Sequence, residues 1–327
     1  MKKVIFFFFI AHCQSLFSQC CPGCSPIGGN TNLGTLPEHT MQVNSYIKYS
    51  YSEGYQQEDH ASDFKFIKNA NNNYTGLQLA YGLHKRFTLE TEIGYYLNRT
   101  QNIELGNGAF KYTYTGQGLS SVNVLGRLNI YKDTAARTEF TVGAGARIPC
   151  SFTPQVKDGV ELPQDVQPSN GAYGFVFRSY LYKELKEKNF RVFLISTINL
   201  NGKNSKIVNG QNQKSFQEGN TYLNALFISK TFSKLTTMLQ LRNEIRQHSY
   251  DYEQLVPKSP NSGGFRFVLS PQVSYSLSKN WMASVFYELP IYQYYNGLQL
   301  KDKYSCAINL TYRFEIGHNH SDCKAPH

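Results

Sequence analysis

Tyr304-Ser305-Cys306-Ala307-Ile308-Asn309-Leu310-Thr311-Tyr312-Arg313-Phe314 is the stretch that decides the fold. Tyr304, Cys306, Ile308, Leu310, Tyr312 and Phe314 are apolar or aromatic, while Ser305, Ala307, Asn309, Thr311 and Arg313 between them are small or polar. A period of two sends the first set to one face of a β-strand and the second set to the other. The alternation outlasts an ordinary strand of five or six residues and reaches the ~9 to 11 that a tilted strand needs to cross a bilayer.

The same pattern recurs toward the N-terminus. Phe265, Phe267, Leu269, Val273 and Tyr275 alternate with Arg266, Ser270, Gln272 and Ser274, and Trp281, Ala283, Val285, Tyr287 and Leu289 alternate with Met282, Ser284 and Glu288. Phe87, Leu89, Ile93, Tyr95 and Leu97 alternate with Thr88, Glu90, Glu92, Tyr96 and Asn98. Segments near 171–183 and 218–232 alternate too weakly to assign their faces. Connections alternate in length as well. Short polar turns fall at 83–86, 132–137, 184–189, 232–235 and 277–280, and longer Asn/Gly/Ser/Gln-rich stretches at 53–72, 99–115, 151–170, 201–217, 249–262 and 292–301. Short turns on one rim and long loops on the other are the layout of a transmembrane β-barrel. About twelve antiparallel strands are expected: 41–52, 73–82, 86–98, 116–131, 137–149, 171–183, 189–200, 218–232, 235–248, 263–277, 280–291 and 302–316. The fold class is therefore all-β, and the β-sandwich or propeller is disfavoured by strand length.

Composition agrees. The chain has 327 residues, 17% charged against about 25% in ordinary soluble domains, with 24 Tyr, 22 Phe and a single Trp. A mean hydropathy of −0.43 and the absence of any ~18-residue apolar run past residue 11 exclude a helical transporter. Abundant, evenly spread aromatic and aliphatic residues exclude a disordered chain. The formal net charge of +10 has no dense basic run behind it, so nucleic acid is not an expected partner.

Lys2 and Lys3 ahead of the apolar run Val4 to Ala11 form a secretory signal, with cleavage expected near Ser18 or Gln19. The expected organisation is a signal peptide over 1–19, a periplasmic Cys/Gly-rich segment over 20–40, a barrel over 41–316 and a periplasmic His/Cys tail over 317–327. Both termini share one rim when the strand number is even. Export favours disulfides, and Cys20, Cys21, Cys24, Cys150, Cys306 and Cys323 remain once Cys13 leaves with the signal. Cys21-x-x-Cys24 with Cys20, His318, His320 and Cys323 supplies thiolate and imidazole ligands suited to zinc or copper. A disulfide between the tails, mobile ends, or lipidation of Cys20 are the competing readings. No other cofactor is expected.

Cys20-Cys21-Pro22-Gly23-Cys24 with Gly28-Gly29, Leu79-Ala80-Tyr81-Gly82-Leu83 leading into Phe87-Thr88-Leu89, Leu239-Gln240-Leu241-Arg242 and the final Tyr312-Arg313-Phe314 carry a family likeness. The chain resembles outer-membrane barrels of the "MetA-pathway of phenol degradation" type. That resemblance implies a Gram-negative outer-membrane barrel passing small, hydrophobic or aromatic molecules. The continuation past Phe314 departs from barrels that end on an aromatic residue.

Glu90, Glu92, Arg127, Glu139, Arg147, Arg242, Glu244, Arg246, Glu288 and Arg313 occupy positions opposite the lipid-facing residues, which spares them the ~2 to 4 kcal/mol cost of a cation at mid-depth on the lipid side. They read either as salt-bridged ladders filling a narrow barrel or as the polar wall of a channel. Loop 151–170, stiffened by Pro154, Pro163 and Pro168, is either a constriction or a surface loop. His248, Ser249 and Asp251 near one rim are the nearest approach to a hydrolase site, but sequence adjacency does not seat a base on its nucleophile. No enzyme activity is expected. The partners expected are outer-membrane lipid and a small solute, and the two functions to separate are a channel and a plugged structural or surface-interaction barrel.

Overall fold

The computed structural model describes residues 34–105, 110–185, 189–208, 211–252 and 257–316. The signal peptide, Cys20, Cys21, Cys24, His318, His320 and Cys323 lie outside the described residues. Within them there is no helix, and the strands run β1 (Thr40–Glu58), β2 (His60–Ser62), β3 (Ile67–His84), β4 (Phe87–Leu105), β5 (Phe110–Asp133), β6 (Thr138–Pro149), β7 (Val156–Lys157), β8 (Val160–Glu161), β9 (Gly174–Leu185), β10 (Phe190–Asn201), β11 (Lys203–Val208), β12 (Gln211–Gln217), β13 (Thr221–Phe232), β14 (Leu235–Arg246), β15 (Tyr250–Asp251), β16 (Gly264–Ser276) and β17 (Trp281–Glu315).

Eleven long elements pair antiparallel in the order β17-β16-β14-β13-β10-β9-β6-β5-β4-β3-β1, with the short β2 added to β1. A further pairing, β17 with β1, closes the ring. Closure leaves no unpaired sheet edge, the condition for a sheet in lipid.

β17 counts twice. Its 35 residues would extend ~115 Å at ~3.3 Å per residue, several times the ~25 Å apolar band of such barrels. Residues up to Tyr295 pair with β16, those from Leu298 pair with β1, Tyr295 pairs with both, and the halves face each other. Trp281 lies against Tyr312 with ring centroids 4.5 Å apart, and the Arg313 N–H donates to the Asn280 carbonyl at 2.9 Å. Gly297, at φ 55°, sits at the reversal, where an L side chain is both strained and crowded by Asn261. The closed ring therefore crosses twelve times, which is the expected number.

Several stretches expected as loops are strand. Most of 53–72 and 99–115 belongs to β1, β3, β4 and β5, and 201–217 is largely the hairpin β11–β12. These extensions stand beyond the apolar band with water on both faces, so they lack the alternation that marks a half-buried strand. Parity also changes inside β4. A register shift between Tyr96 and Arg99 turns Arg99, Gln101 and Ile103 inward, where the unbroken pattern would have placed even-numbered residues.

The outer face carries Leu89, Ile130, Phe175, Leu181, Leu226, Leu239, Val285 and Ile308, all exposed. Trp281, Tyr275, Phe232 and Tyr312 gather near the short turns, as aromatic residues do at a membrane interface. β9 and β13 are apolar on both faces. Phe175, Phe177, Leu226 and Ile228 point out while Val176, Tyr180, Leu223, Ala225 and Phe227 point in, which is why periodicity could not assign them.

Candidate functional site

Inward-facing charges meet across the barrel. Arg178 on β9 and Arg127 on β5 both reach Glu90 on β4, at 3.2 and 3.3 Å. β9 and β4 are separated in the sheet by β5 and β6, so only the interior can bring these side chains together. A longer chain of ion pairs runs along the neighbouring wall. Lys48 and Arg242 bind the two oxygens of Glu288 at 2.7 Å each, Arg242 reaches Glu244 at 3.9 Å, and Glu244 also receives Arg246 and, at 2.9 Å, Arg266. Arg266 continues to Asp302, which accepts from the Ser52 hydroxyl at 2.8 Å.

The remaining sequence-derived positions have neutral groups among their partners. Glu92 accepts from the Tyr46 hydroxyl at 2.8 Å, beside the ring cluster Tyr46, Tyr74 and Tyr96. Arg313 donates to Gln42 Oε1 at 2.6 Å. Arg147 donates from Nε to Asn123, from Nη1 to Asn201 and from Nη2 to Asn199, at 3.4, 2.9 and 3.2 Å. Glu139 binds the chain ahead of β1: the Thr35 N–H donates to Glu139 Oε1 at 3.2 Å and the Leu36 N–H to Thr88 Oγ1 at 2.8 Å. Thr35 and Leu36 are buried, so this segment enters the barrel at the short-turn rim.

Lys48, Arg99, Arg178, Arg266 and Asp302 join the interior network without having been singled out by sequence. Arg178 lies in the strand whose faces could not be assigned, Arg99 follows the register shift in β4, and Asp302 follows the shift between Tyr51 and Ser52 in the pairing of β1 with β17. Lys48 and Arg266 follow the period-two pattern, and parity carried through β1 and β16 would have found them.

The long-loop rim is narrowed by the segment between β6 and β9. Leu162, Val166 and Gln167 are buried, and the Arg99 guanidinium donates to the Gln167 carbonyl at 2.6 Å while lying over the Tyr96 ring. The Gln167 amide ties the loop to itself through Leu162 O and the Gln155 N–H. At Gly116 a Cβ would collide with the Val166 carbonyl oxygen, so the bare glycine is what admits the loop. Of the two readings of this loop, the inward one holds. Asp165 at its turn shares cavities with Arg99 and Arg246. Burial pushes its carboxyl above the ordinary range, and Arg99 offsets part of that rise.

Between the loop and the entering N-terminal segment lie two contiguous cavities. The upper is lined by Tyr74, Tyr96, Arg99, Asn123, Arg147, Asp165, Gln167 and Arg246 among others. The lower is lined by charged side chains (Glu90, Arg127, Arg178, Arg242, Glu288) and by apolar ones (Val176, Tyr180, Ile195, Leu223, Phe286), interleaved so that Arg178 stands between Val176 and Tyr180 on β9 and Phe286 next to Glu288 on β17. The apolar side chains of β9, β10 and β13 continue into a buried cluster with Phe193, Ala225, Phe227 and Met238, where Phe193 and Phe227 stack at 4.3 Å. This arrangement can hold a small solute with both an apolar and a polar side.

At the rim, His248 Nδ1 lies 3.1 Å from the Ser259 carbonyl and Nε2 lies 3.1 Å from the Asn296 amide nitrogen. Ser249 Oγ accepts from the Gly219 N–H at 3.2 Å. Both imidazole nitrogens are thus engaged away from the neighbouring serine. Among the described residues, no cluster of three metal-ligating side chains occurs.

Among solved structures, the outer membrane channel from Pseudomonas putida F1 is similar to 88% of this chain and 99% of its own, with a TM-score of 0.66 at 12% identity. The TodX monoaromatic hydrocarbon channel, in a mutant form, and the NanC porin match with TM-scores of 0.47 and 0.45, each at 10% identity, over 86% and 83% of this chain and 91% and 98% of theirs. No family model and no curated protein matches the sequence. The first of these likenesses, with the ring closure, shows that the chain has the fold of an outer-membrane β-barrel channel.

Proposed function

We propose that this protein sits in the outer membrane of a Gram-negative bacterium, with both termini periplasmic, and is a channel for small hydrophobic or aromatic solutes. The observation that carries the reading is a cavity with both apolar and charged lining inside a closed barrel whose outer face is apolar. Inward Ile195, Leu223 and Phe286 depart from the polar interior of a water-filled pore of general porin type. The likeness to barrels of the "MetA-pathway of phenol degradation" type belongs to the same proposal, and Glu90, Glu92, Arg127, Arg147, Arg242, Glu244, Arg246 and Glu288 become its polar wall.

A second reading has its own support. The loop seated on Gly116 and the segment holding Thr35 and Leu36 narrow both ends, as in a plugged structural barrel. Planar-bilayer recording and swelling of proteoliposomes with a graded panel of sugars, amino acids and aromatic acids separate the two. The channel reading expects discrete openings and faster entry of the aromatic members; a silent membrane and no swelling would support the plug.

A further inference from the structure

Arg147 is the one guanidinium in the lower cavity whose mapped partners are all neutral. Its three hydrogen bonds end on the amide oxygens of Asn123, Asn199 and Asn201, and among the described residues no carboxylate comes within ion-pair distance. A guanidinium carries five N–H donors in a rigid fork, so two remain, one on each terminal nitrogen. Asn123, Arg147 and Asn199, together with Glu92, line both cavities, which places this fork at their junction, in the path of anything moving along the barrel.

The charge count of the lower cavity points the same way. Its lining holds Arg127, Arg147, Arg178 and Arg242 against Glu90, Glu92 and Glu288, an excess of one positive charge. Arg127, Arg178 and Arg242 are engaged with Glu90 and Glu288, and Glu92 accepts from Tyr46. Apolar side chains line the same cavity: Ile195 on β10 and Leu223 on β13 stand on the arc beside Arg147, and Phe286 comes from β17.

We infer that this cavity binds a small amphipathic monocarboxylate, the carboxylate forked on Arg147 and the apolar body lying on Ile195, Leu223 and Phe286. The inference rests on the channel reading for the route of entry and names the solute class it carries. Three fixed asparagine oxygens hold the fork in place before the ligand arrives, and planar bidentate recognition of a carboxylate is what arginine does better than lysine. An apolar solute without the charge leaves the two donors unanswered, and a short carboxylate without the body leaves Ile195, Leu223 and Phe286 uncovered.

The test is titration calorimetry on the purified full chain in detergent micelles, with benzoate, benzyl alcohol and acetate as probes. Benzoate should bind at least tenfold more tightly than either of the others. Arg147→Gln should weaken benzoate at least tenfold, and Arg147→Lys should fall between the two, each variant first checked for heat-modifiable migration as a sign of a closed barrel. Equal benzoate affinity in wild type and Arg147→Gln, or benzyl alcohol binding as tightly as benzoate, would overturn the assignment. Because binding is read in micelles and conduction in bilayers, a silent bilayer with intact benzoate binding counts against the channel reading alone.

Discussion

Glu244 is the residue on which most of the interior charge converges. Its carboxylate lies at 1% exposure among Arg242, Arg246 and Arg266, so removing its charge takes a shared counter-charge from three buried guanidiniums, of which Arg242 keeps Glu288 and Arg266 keeps Asp302. Breaking a buried ion pair from one side costs about 3 to 5 kcal/mol. Glu244→Gln should therefore lower urea stability in lipid vesicles by about 3 kcal/mol, a loss comparable to that of a large core truncation; a change under about 1 kcal/mol would mean that lumen water compensates these arginines. Asp165 presents the opposite case. Burial raises its carboxyl, so the charged form disfavours the seated loop at neutral pH and the penalty fades as pH falls through that raised value. Asp165→Asn should slow amide exchange at Val166 and Gln167 near pH 7, after correction for intrinsic rates. The difference from wild type should shrink on acidification and vanish below the ordinary carboxylate value of about 3.9.

At the scale of the element, the inward loop between β6 and β9 is the barrel's adjustable part. Its attachments to the rest of the barrel are polar or steric: the Arg99 contact to Gln167, the paired bonds between Gln155 and Gln117, the Asn170 amide on Glu218 and the close approach at Gly116. Replacing residues 152–170 by a short Gly/Ser link should leave the strand pairing intact and raise single-channel conductance at least twofold, whereas unchanged conductance would put the narrowest point elsewhere. How far such elements could be read from sequence depended on where each strand sits relative to the apolar band. Strands with lipid on one side and water on the other, such as β16 and the two halves of β17, betray themselves by alternation. β9 and β13 face lipid outside and an apolar cluster inside, so both faces look alike and Arg178 was missed. β4 keeps its alternation only as far as the register shift before Arg99, and the extensions beyond the band have no dry face to mark. The seating of the loop was not legible at all, because it depends on an absent Cβ at Gly116 and a carbonyl from fifty residues later.

For the whole molecule, ring closure sets Thr40 opposite Glu315, so the chain enters and leaves the barrel side by side on the short-turn rim. The long-loop rim is the other end, and Cys150 marks it: exposed, with its N–H donating to the Ser120 carbonyl just beyond β6. Cys306 lies in β17 with its neighbour Ala307 buried inward, which turns the thiol toward the outer, lipid-covered face. In intact cells a membrane-impermeant maleimide should thus label Cys150 and spare Cys306, and Cys150→Ser should abolish the signal; labelling that survives this substitution would reverse the proposed orientation. The same two thiols supply a baseline for the tails. We propose that Cys20, Cys21, Cys24 and Cys323, which precede and follow strands paired with each other in the ring, are joined as disulfides in the exported chain. The denatured mature protein should then expose two reactive thiols without reductant, those of Cys150 and Cys306, and six with it. Six reactive thiols after a chelator without reductant, the four tail thiols added to the two, together with stoichiometric zinc or copper in the purified protein, would instead assign Cys20, Cys21, Cys24, His318, His320 and Cys323 to a metal site.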